Sequence, residues 1–249
     1  MDSAEPPYPH AVETPHARTE IERPMHAIVA VKSLRSAKSR LAGELDSDAR
    51  ADLVLAMLHD TLATVAAVSA IDSVTVVTPD PTVAALAYSV GVTVYADPAP
   101  DGARTNGATP RTEETLNAAL SAAADDIRAK RGVVDLVVLQ ADLPAMQPSE
   151  LTEAVAAARS GGRSVVVDHH GTGTSALFAC GESALDPRFG PESALGHANS
   201  GARPLNGQWP GLRTDVDTHA DLGTVRALGV GPATSASLTR LKATPSNSR

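Results

Sequence analysis

The sequence predicts an α/β fold built on a mixed central sheet. Three observations point there. Short runs that are apolar at every position recur, Leu136 to Leu139 most clearly, and such runs suit strands covered on both faces. Segments with helical spacing of apolar residues alternate with those runs. Past residue 160 strands follow one another closely, which adds antiparallel neighbours to a parallel set.

Residues 1–25 are rich in Pro, Glu and His without periodicity and read as a disordered extension. His10 and His16 each follow a proline there and read as solvated tail rather than a metal tract. Ala27 to Val31 is the first strand. Ser47 is placed to cap a helix whose apolar face is Leu53, Met57, Leu58, Leu62 and Val65. Val74 to Val77 is the second strand, followed by an Ala-rich helix, and Val92 to Tyr95 is the third. Ala96 to Arg111 is long for a connection and reads as a lid or binding loop. Thr112 to Ala124 is helical, Val133 to Gln140 is a strand, and Pro148-Ser149 opens a helix. Val165–Val167 and Ser175–Ala179 read as strands joined by a Gly/Thr turn, and a last helix starts near Thr218. Residues 26–232 are thus expected to form one domain, with 233–249, rich in Ser, Thr and Ala, as a flexible tail.

Composition narrows the function classes. Hydrophobic residues make up 43% of 249, enough for a real core, but aromatics only 2%, so platforms for stacking nucleic-acid bases are nearly absent. The net charge of −8 gives no global basic field, so a nucleic-acid partner is not expected and an anionic ligand needs local cations or a metal. The single Cys180 excludes an internal disulfide and a multi-cysteine zinc site. No apolar stretch approaches the ~20 residues of a membrane span, and the first residues do not resemble a secretory signal. A cytoplasmic protein without a membrane partner is the expectation.

Two kinds of cluster carry chemistry. Lys32, Arg35, Lys38 and Arg40 place four cations within nine residues just past the first strand, where they can clamp a polyphosphate. No Walker pattern accompanies them. The carboxylates come next. Asp142 leaves the carboxyl end of the Val133–Gln140 strand, where open α/β sheets hold ligands; it can bind a divalent metal, or simply form a turn before Pro144. Asp215 and Asp217 share one side of an extended segment and can complete a three-carboxylate site, although Asp217 and Thr218 can also cap the following helix. Gly171 to Ala176 formally fits a dinucleotide fingerprint, yet it precedes a strand rather than opening a helix; it reads as an oxyanion-binding turn or a plain hairpin. Gly190 and Ser193 flank the start of a short helix. Asn117 and His197, taken alone, read as structural.

In order along the chain, Lys32-Ser33-Leu34 with Ala37-Lys38-Ser39-Arg40-Leu41, Leu139-Gln140-Ala141-Asp142-Leu143-Pro144, Gly171-Thr172-Gly173-Thr174, Arg188-Phe189-Gly190-Pro191-Glu192-Ser193 and Asp215-Val216-Asp217-Thr218 resemble the phosphoenolpyruvate/2-phospho-L-lactate guanylyltransferase family of coenzyme F(420) biosynthesis. The resemblance covers roughly residues 27 to 232. It implies a Rossmann-like nucleotidyltransferase fold, related to sugar-nucleotide transferases. It also implies joining of GMP from GTP to a phosphorylated three-carbon acid with release of pyrophosphate. By motif, Thr174, Gly190 and Ser193 would bind the acid, and Asp142, Asp215 and Asp217 would hold Mg2+. Lys32, Lys38 and Arg40 would meet the triphosphate, with Asp142, Lys32 and Lys38 as the catalytic set, and Asn117 would reach the nucleoside. Thr172 stands where the family often has Arg, which resembles the branch using phosphoenolpyruvate rather than 2-phospho-L-lactate. The next enzyme of the pathway is an implied partner. Rivals are a nucleotidyltransferase for a molybdopterin or sugar phosphate, and a non-catalytic nucleotide-binding regulator.

Overall fold

The computed structural model describes residues 23–34, 38–96 and 112–243. Most of the N-terminal extension and the Ala96–Arg111 loop therefore lie outside the described residues. Seven strands form one sheet: β1 (Met25–Ala30), β2 (Ile71–Thr78), β3 (Thr93–Ala96), β4 (Asp135–Gln140), β5 (Arg163–Val167), β6 (Thr174–Ala179) and β7 (Arg203–Pro204). Their order is β3-β2-β1-β4-β6-β5-β7. Strands β3, β2, β1 and β4 run parallel, β6 is antiparallel to both β4 and β5, and β5 pairs parallel with β7. The mixed sheet is as expected, and Met25, placed in the extension by the sequence reading, already belongs to β1.

Helices cover both faces. Along β1 and β4, alternate side chains enter two different cores. Met25, Ala27, Val29, Val137 and Leu139 meet α1 (Ser47–Ala66) and α4 (Pro148–Ala158), whereas Ile28, Leu136 and Val138 meet α3 (Thr112–Arg131). Burial on both faces is why these strands carry no polar alternation. Helix α1 is capped by Asp46, which accepts from the Ala49 N–H at 2.8 Å, so the cap lies one residue before the expected Ser47. Helix α2 (Pro81–Ser89) is capped by Asp80, whose other oxygen accepts the Leu34 N–H at 2.9 Å. One carboxylate thereby anchors the start of the cationic loop.

The second half holds more helix than the sequence suggests: α5 (Ser193–Asn199), α6 (Pro210–Arg213), α7 (His219–Leu228) and α8 (Pro232–Ala243). Helix α8 places residues 233–243 of the expected 233–249 flexible tail in a helix, and residues 244–249 lie outside the described residues. Pro232 opens it, buried Asp60 of α1 accepts the Ala233 and Thr234 N–H groups at 3.1 and 2.7 Å, and Leu238 enters the core. A carboxylate supplied from α1 thereby satisfies two of the N–H groups orphaned at the helix start. Asp60→Ala is expected to destabilise the protein by about 1–3 kcal/mol, read as a lowered urea midpoint. An unchanged midpoint would show that α8 docks without this cap.

His26 of β1 is buried between the Thr75 and Ser73 hydroxyls, at 2.8 and 2.6 Å. Burial, and then the nearby Arg131, lower its pKa from 6.5 to about 4. Above pH 6.5 the ring is neutral in the folded and the unfolded chain and adds no pH dependence. Between 6.5 and 4 only the unfolded chain takes up the proton, so stability is lost as pH falls. At pH 5 the loss is about 2 kcal/mol relative to pH 7. Denaturant titrations of wild type and His26→Gln at both pH values isolate this share; parallel behaviour of the two proteins would contradict it.

Candidate active site

Strand β1 has its first two neighbours, β2 and β4, on opposite sides, so the chain switches direction across the sheet between β1 and β4. Open α/β sheets form their ligand crevice at such a point, outside the carboxyl ends of the strands. Ala30 pairs with Gln140 there, which brings the residues after β1 beside those after β4. Strand β6, antiparallel to β4, contributes its first residue, Thr174, to the same end; the Gln140 side chain donates to the Thr174 carbonyl at 3.2 Å. A cavity of about 600 Å³ opens over these ends, lined by Lys32, Lys38, Arg40, Asp142, Thr174, Gly190, Ser193, Asp215 and Asp217 among others.

Asp142 is held by its neighbours' backbone. The buried Thr61 hydroxyl of α1 donates to the Ala141 carbonyl at 3.2 Å and accepts the Leu143 N–H at 3.3 Å, bracketing the aspartate. Its own carboxylate serves no turn: Oδ2 takes the Lys38 ammonium, and Oδ1 is buried without a partner. Asp215 and Asp217 lie on an extended segment between α6 and α7. Val216 between them is buried, so both carboxylates face away from the core. Thr218, not Asp217, caps α7: it accepts the Asp221 N–H, while Asp221 Oδ2 receives the Asp217 and Thr218 N–H groups at 3.0 and 2.7 Å. Asp217 is thereby free to accept from Lys38 Nζ at 2.9 Å and Arg40 at 3.3 Å. Buried Glu150 of α4 accepts the Gly211 and Leu212 N–H groups at 2.9 and 3.1 Å, which fixes the turn leading into Asp215. A side chain at Gly211 would run into the Ala145 carbonyl oxygen.

The electrostatics describe a cation site. One oxygen each from Asp142, Asp215 and Asp217 lie within 4.8 Å of one another. Burial first, then the neighbouring Asp142 and Asp217 charges, push the Asp215 pKa up to about 7, and its Oδ1 is also buried without a hydrogen-bond partner. Lys38 is held above its ordinary pKa: burial opposes its charge, but Asp142 and Asp217 together outweigh burial. The same ammonium, with Arg40, keeps Asp217 below the usual carboxylate range despite its burial. Lys38 adopts a left-handed backbone, φ 53°, which costs about 1 kcal/mol for a non-glycine residue. Three crowded carboxylates with two orphaned oxygens, set against one buried ammonium, are a donor set suited to a hard divalent cation.

The opposite wall is assembled from three segments. The Gly/Thr turn and the start of α5 are joined by the Ala194 N–H donating to the Thr172 carbonyl at 3.0 Å. Asp168 accepts the Thr172 N–H at 3.0 Å, and a side chain at Gly173 would run into that carboxylate. The Asn117 side chain, expected to reach the nucleoside, pairs with a loop of this wall. Its carboxamide donates to the Phe189 carbonyl at 3.0 Å and accepts the Phe189 N–H at 2.9 Å, and it is absent from the cavity lining. Pairing with a backbone far away in sequence occupies both ends of the amide, so Asn117 holds the Gly190 loop. The Gly171–Ala176 stretch leads into β6, not a helix, which excludes a dinucleotide fingerprint. Lys32 is exposed on the rim. The Thr61 and Glu150 contacts were announced by no sequence motif, whereas Asp221 completes the Thr218-x-x-Asp221 capping box.

The model of the guanylyl transferase CofC-like family matches residues 25–249. The chain belongs to that family. Two relatives of this CofC-like chain are named phosphoenolpyruvate guanylyltransferase. That of Rhodococcus erythropolis (strain PR4) is 95% identical over 225 residues, 90% of this chain and 100% of the relative. That of Rhodococcus opacus (strain B4) is 62% identical over 218 residues, 87% and 91%. Among solved structures, a protein assigned as a nucleotide-diphospho-sugar transferase from Desulfovibrio desulfuricans G20 superposes with a TM-score of 0.59 at 16% identity, over 88% of this chain and 95% of that one. The likeness shows that the CofC-like chain shares the fold of that protein. Among the described residues no helix is long and apolar enough to cross a membrane.

Proposed function

We propose that this chain is a magnesium-dependent phosphoenolpyruvate guanylyltransferase of coenzyme F(420) biosynthesis, transferring GMP from GTP and releasing pyrophosphate. Near-identity to a protein of that name is the observation that carries the substrates. The geometry supports the chemistry: carboxylates for a cation on one wall of the cavity, and small hydroxyl and glycine positions on the other.

In this reading an oxygen of the phosphoenolpyruvate phosphate attacks the α-phosphorus of GTP, and the bond from that phosphorus to the β-phosphate oxygen breaks. The attacking oxygen is already anionic near neutral pH, so no general base is needed. The barrier is the approach of two polyanions, which positioning and charge stabilisation lower. Asp142, Asp215 and Asp217 would hold Mg2+, whose bound form supplies positive charge at the phosphates. Lys32, Lys38 and Arg40 neutralise triphosphate oxygens from the β1 side. Thr174, Gly190 and Ser193 receive the acid, and Asn117 acts on the site through the Phe189–Gly190 backbone that it holds. The product keeps a reactive diphosphate link to an enol, so the next enzyme of the pathway is a partner by hand-over of a labile compound.

Pyrophosphate release from GTP, measured with Mg2+ and pyrophosphatase present, is expected to require phosphoenolpyruvate, with the GMP adduct seen by mass spectrometry. Absence of release with both phosphoenolpyruvate and 2-phospho-L-lactate, the next enzyme included, would sink the assignment.

A further inference from the structure

We propose that His197 is a positioning residue that fixes the Thr174 hydroxyl as a hydrogen-bond donor into the cavity, where it meets the anionic acid substrate. The proposal rests on the reading of this wall as the acid subsite.

His197 is 0% exposed, and its two ring nitrogens have different partners. The Arg188 backbone N–H donates to Nε2 at 2.9 Å, so Nε2 carries no proton. Burial, and then the Arg163 charge, lower the imidazole pKa to about 4, so the ring is neutral near pH 7. A neutral ring with a bare Nε2 bears its proton on Nδ1. Nδ1 stands 3.0 Å from Thr174 Oγ1. Thr174 Oγ1 therefore accepts from the imidazole and cannot donate to it. Its own proton is left for a ligand, and Thr174 lines the cavity. The reverse tautomer would let the threonine donate to the ring and present only lone pairs to an anion, which repels one.

The ring is held in this orientation. Phe189 packs edge-on against it, with centroids 5.1 Å apart and planes at 75°. His197 stands on α5, and Arg188 and Thr174 belong to the other two segments of this wall, so one buried imidazole ties the three together. Because the ring is neutral, it selects the direction of a hydroxyl without adding a charge of its own. Tautomer control of this kind depends on what the far nitrogen meets.

The test has two arms. In the first, the 15N spectrum of the imidazole in the full-length protein without ligands reads the tautomer directly. A protonated Nδ1 and a bare Nε2 are expected, and a protonated Nε2 would overturn the proposal whether or not the protein turns over. In the second, kinetics separate the substrates. His197→Leu is expected to raise KM for phosphoenolpyruvate roughly 10- to 100-fold, the range for one hydrogen bond to a charged group, with KM for GTP within about twofold. Thr174→Val should match it, and the double variant should be no worse than either single one. His197→Asn, which returns an N–H donor near the Nδ1 position, should recover part of the loss. Equal rises in both KM values, or additive effects of the two substitutions, would overturn the proposal. An inactive wild type would instead count against the guanylyltransferase reading, while the spectrum still decides the role of His197.

Discussion

Asp142→Asn is expected to lower the rate of GMP transfer by at least ~100-fold while the protein stays folded. The substitution keeps the shape of the side chain and an oxygen to accept from Lys38, so the packing around Thr61 and Leu143 is undisturbed. What disappears is one negative charge from a cluster whose other members are Asp215 and Asp217. A cation bound by three carboxylates loses much of its attraction when one becomes an amide. Steady-state rates at saturating Mg2+, beside a thermal melt of the variant, check this. A protein that only bound nucleotide would show weaker metal-dependent binding and have no turnover to lose. Retention of more than about a tenth of the wild-type rate would remove Asp142 from the catalytic set.

Lys38→Met is expected to be costly in a different way. The ammonium is the buried positive charge that holds Asp142 and Asp217 together, and Asp215 already resists ionisation there. Removing one partner of a buried ion cluster leaves uncompensated charge and costs about 3 kcal/mol. Part of that cost is relieved by proton uptake on the carboxylates, so the loss should grow as pH rises. Divalent cations should restore stability to the variant by more than they stabilise the wild type, because the carboxylates would then lack their only buried counter-charge among the described residues. Turnover should fall with the stability. Urea titrations with EDTA and with Mg2+ measure both effects. Equal stabilisation of variant and wild type by Mg2+ would contradict the picture of Lys38 as the counter-ion of the metal-binding carboxylates.

Much of this site was legible in the sequence because its main parts are local. An apolar run broken by a carboxylate marks the end of β4 and places Asp142. Alternation around buried Val216 puts Asp215 and Asp217 on one side. The cationic stretch after β1 brings Lys32, Lys38 and Arg40 to the same crevice. What stayed hidden depends on partners far apart in the chain. Thr61 brackets Asp142 from α1, Glu150 reaches from α4 to α6, and His197 reads Arg188 on one nitrogen and Thr174 on the other. None of these contacts leaves a spacing to recognise. Asn117, structural by type alone, was given a nucleoside contact only by the family resemblance, and its amide pairs with the Phe189 backbone. Helix α8 escaped because its composition is poor and its cap, Asp60, lies far earlier in the chain.

In the proposed function one cavity joins a three-carboxylate cation site to an acid subsite built from Thr174, Gly190 and Ser193. A crystal soaked with Mg2+ and phosphoenolpyruvate tests it most directly. The ion is expected on Asp142, Asp215 and Asp217, with the acid bonded to Thr174, Gly190 and Ser193 beside it. Density for the acid away from that wall, or an ion bound without these carboxylates, would contradict it.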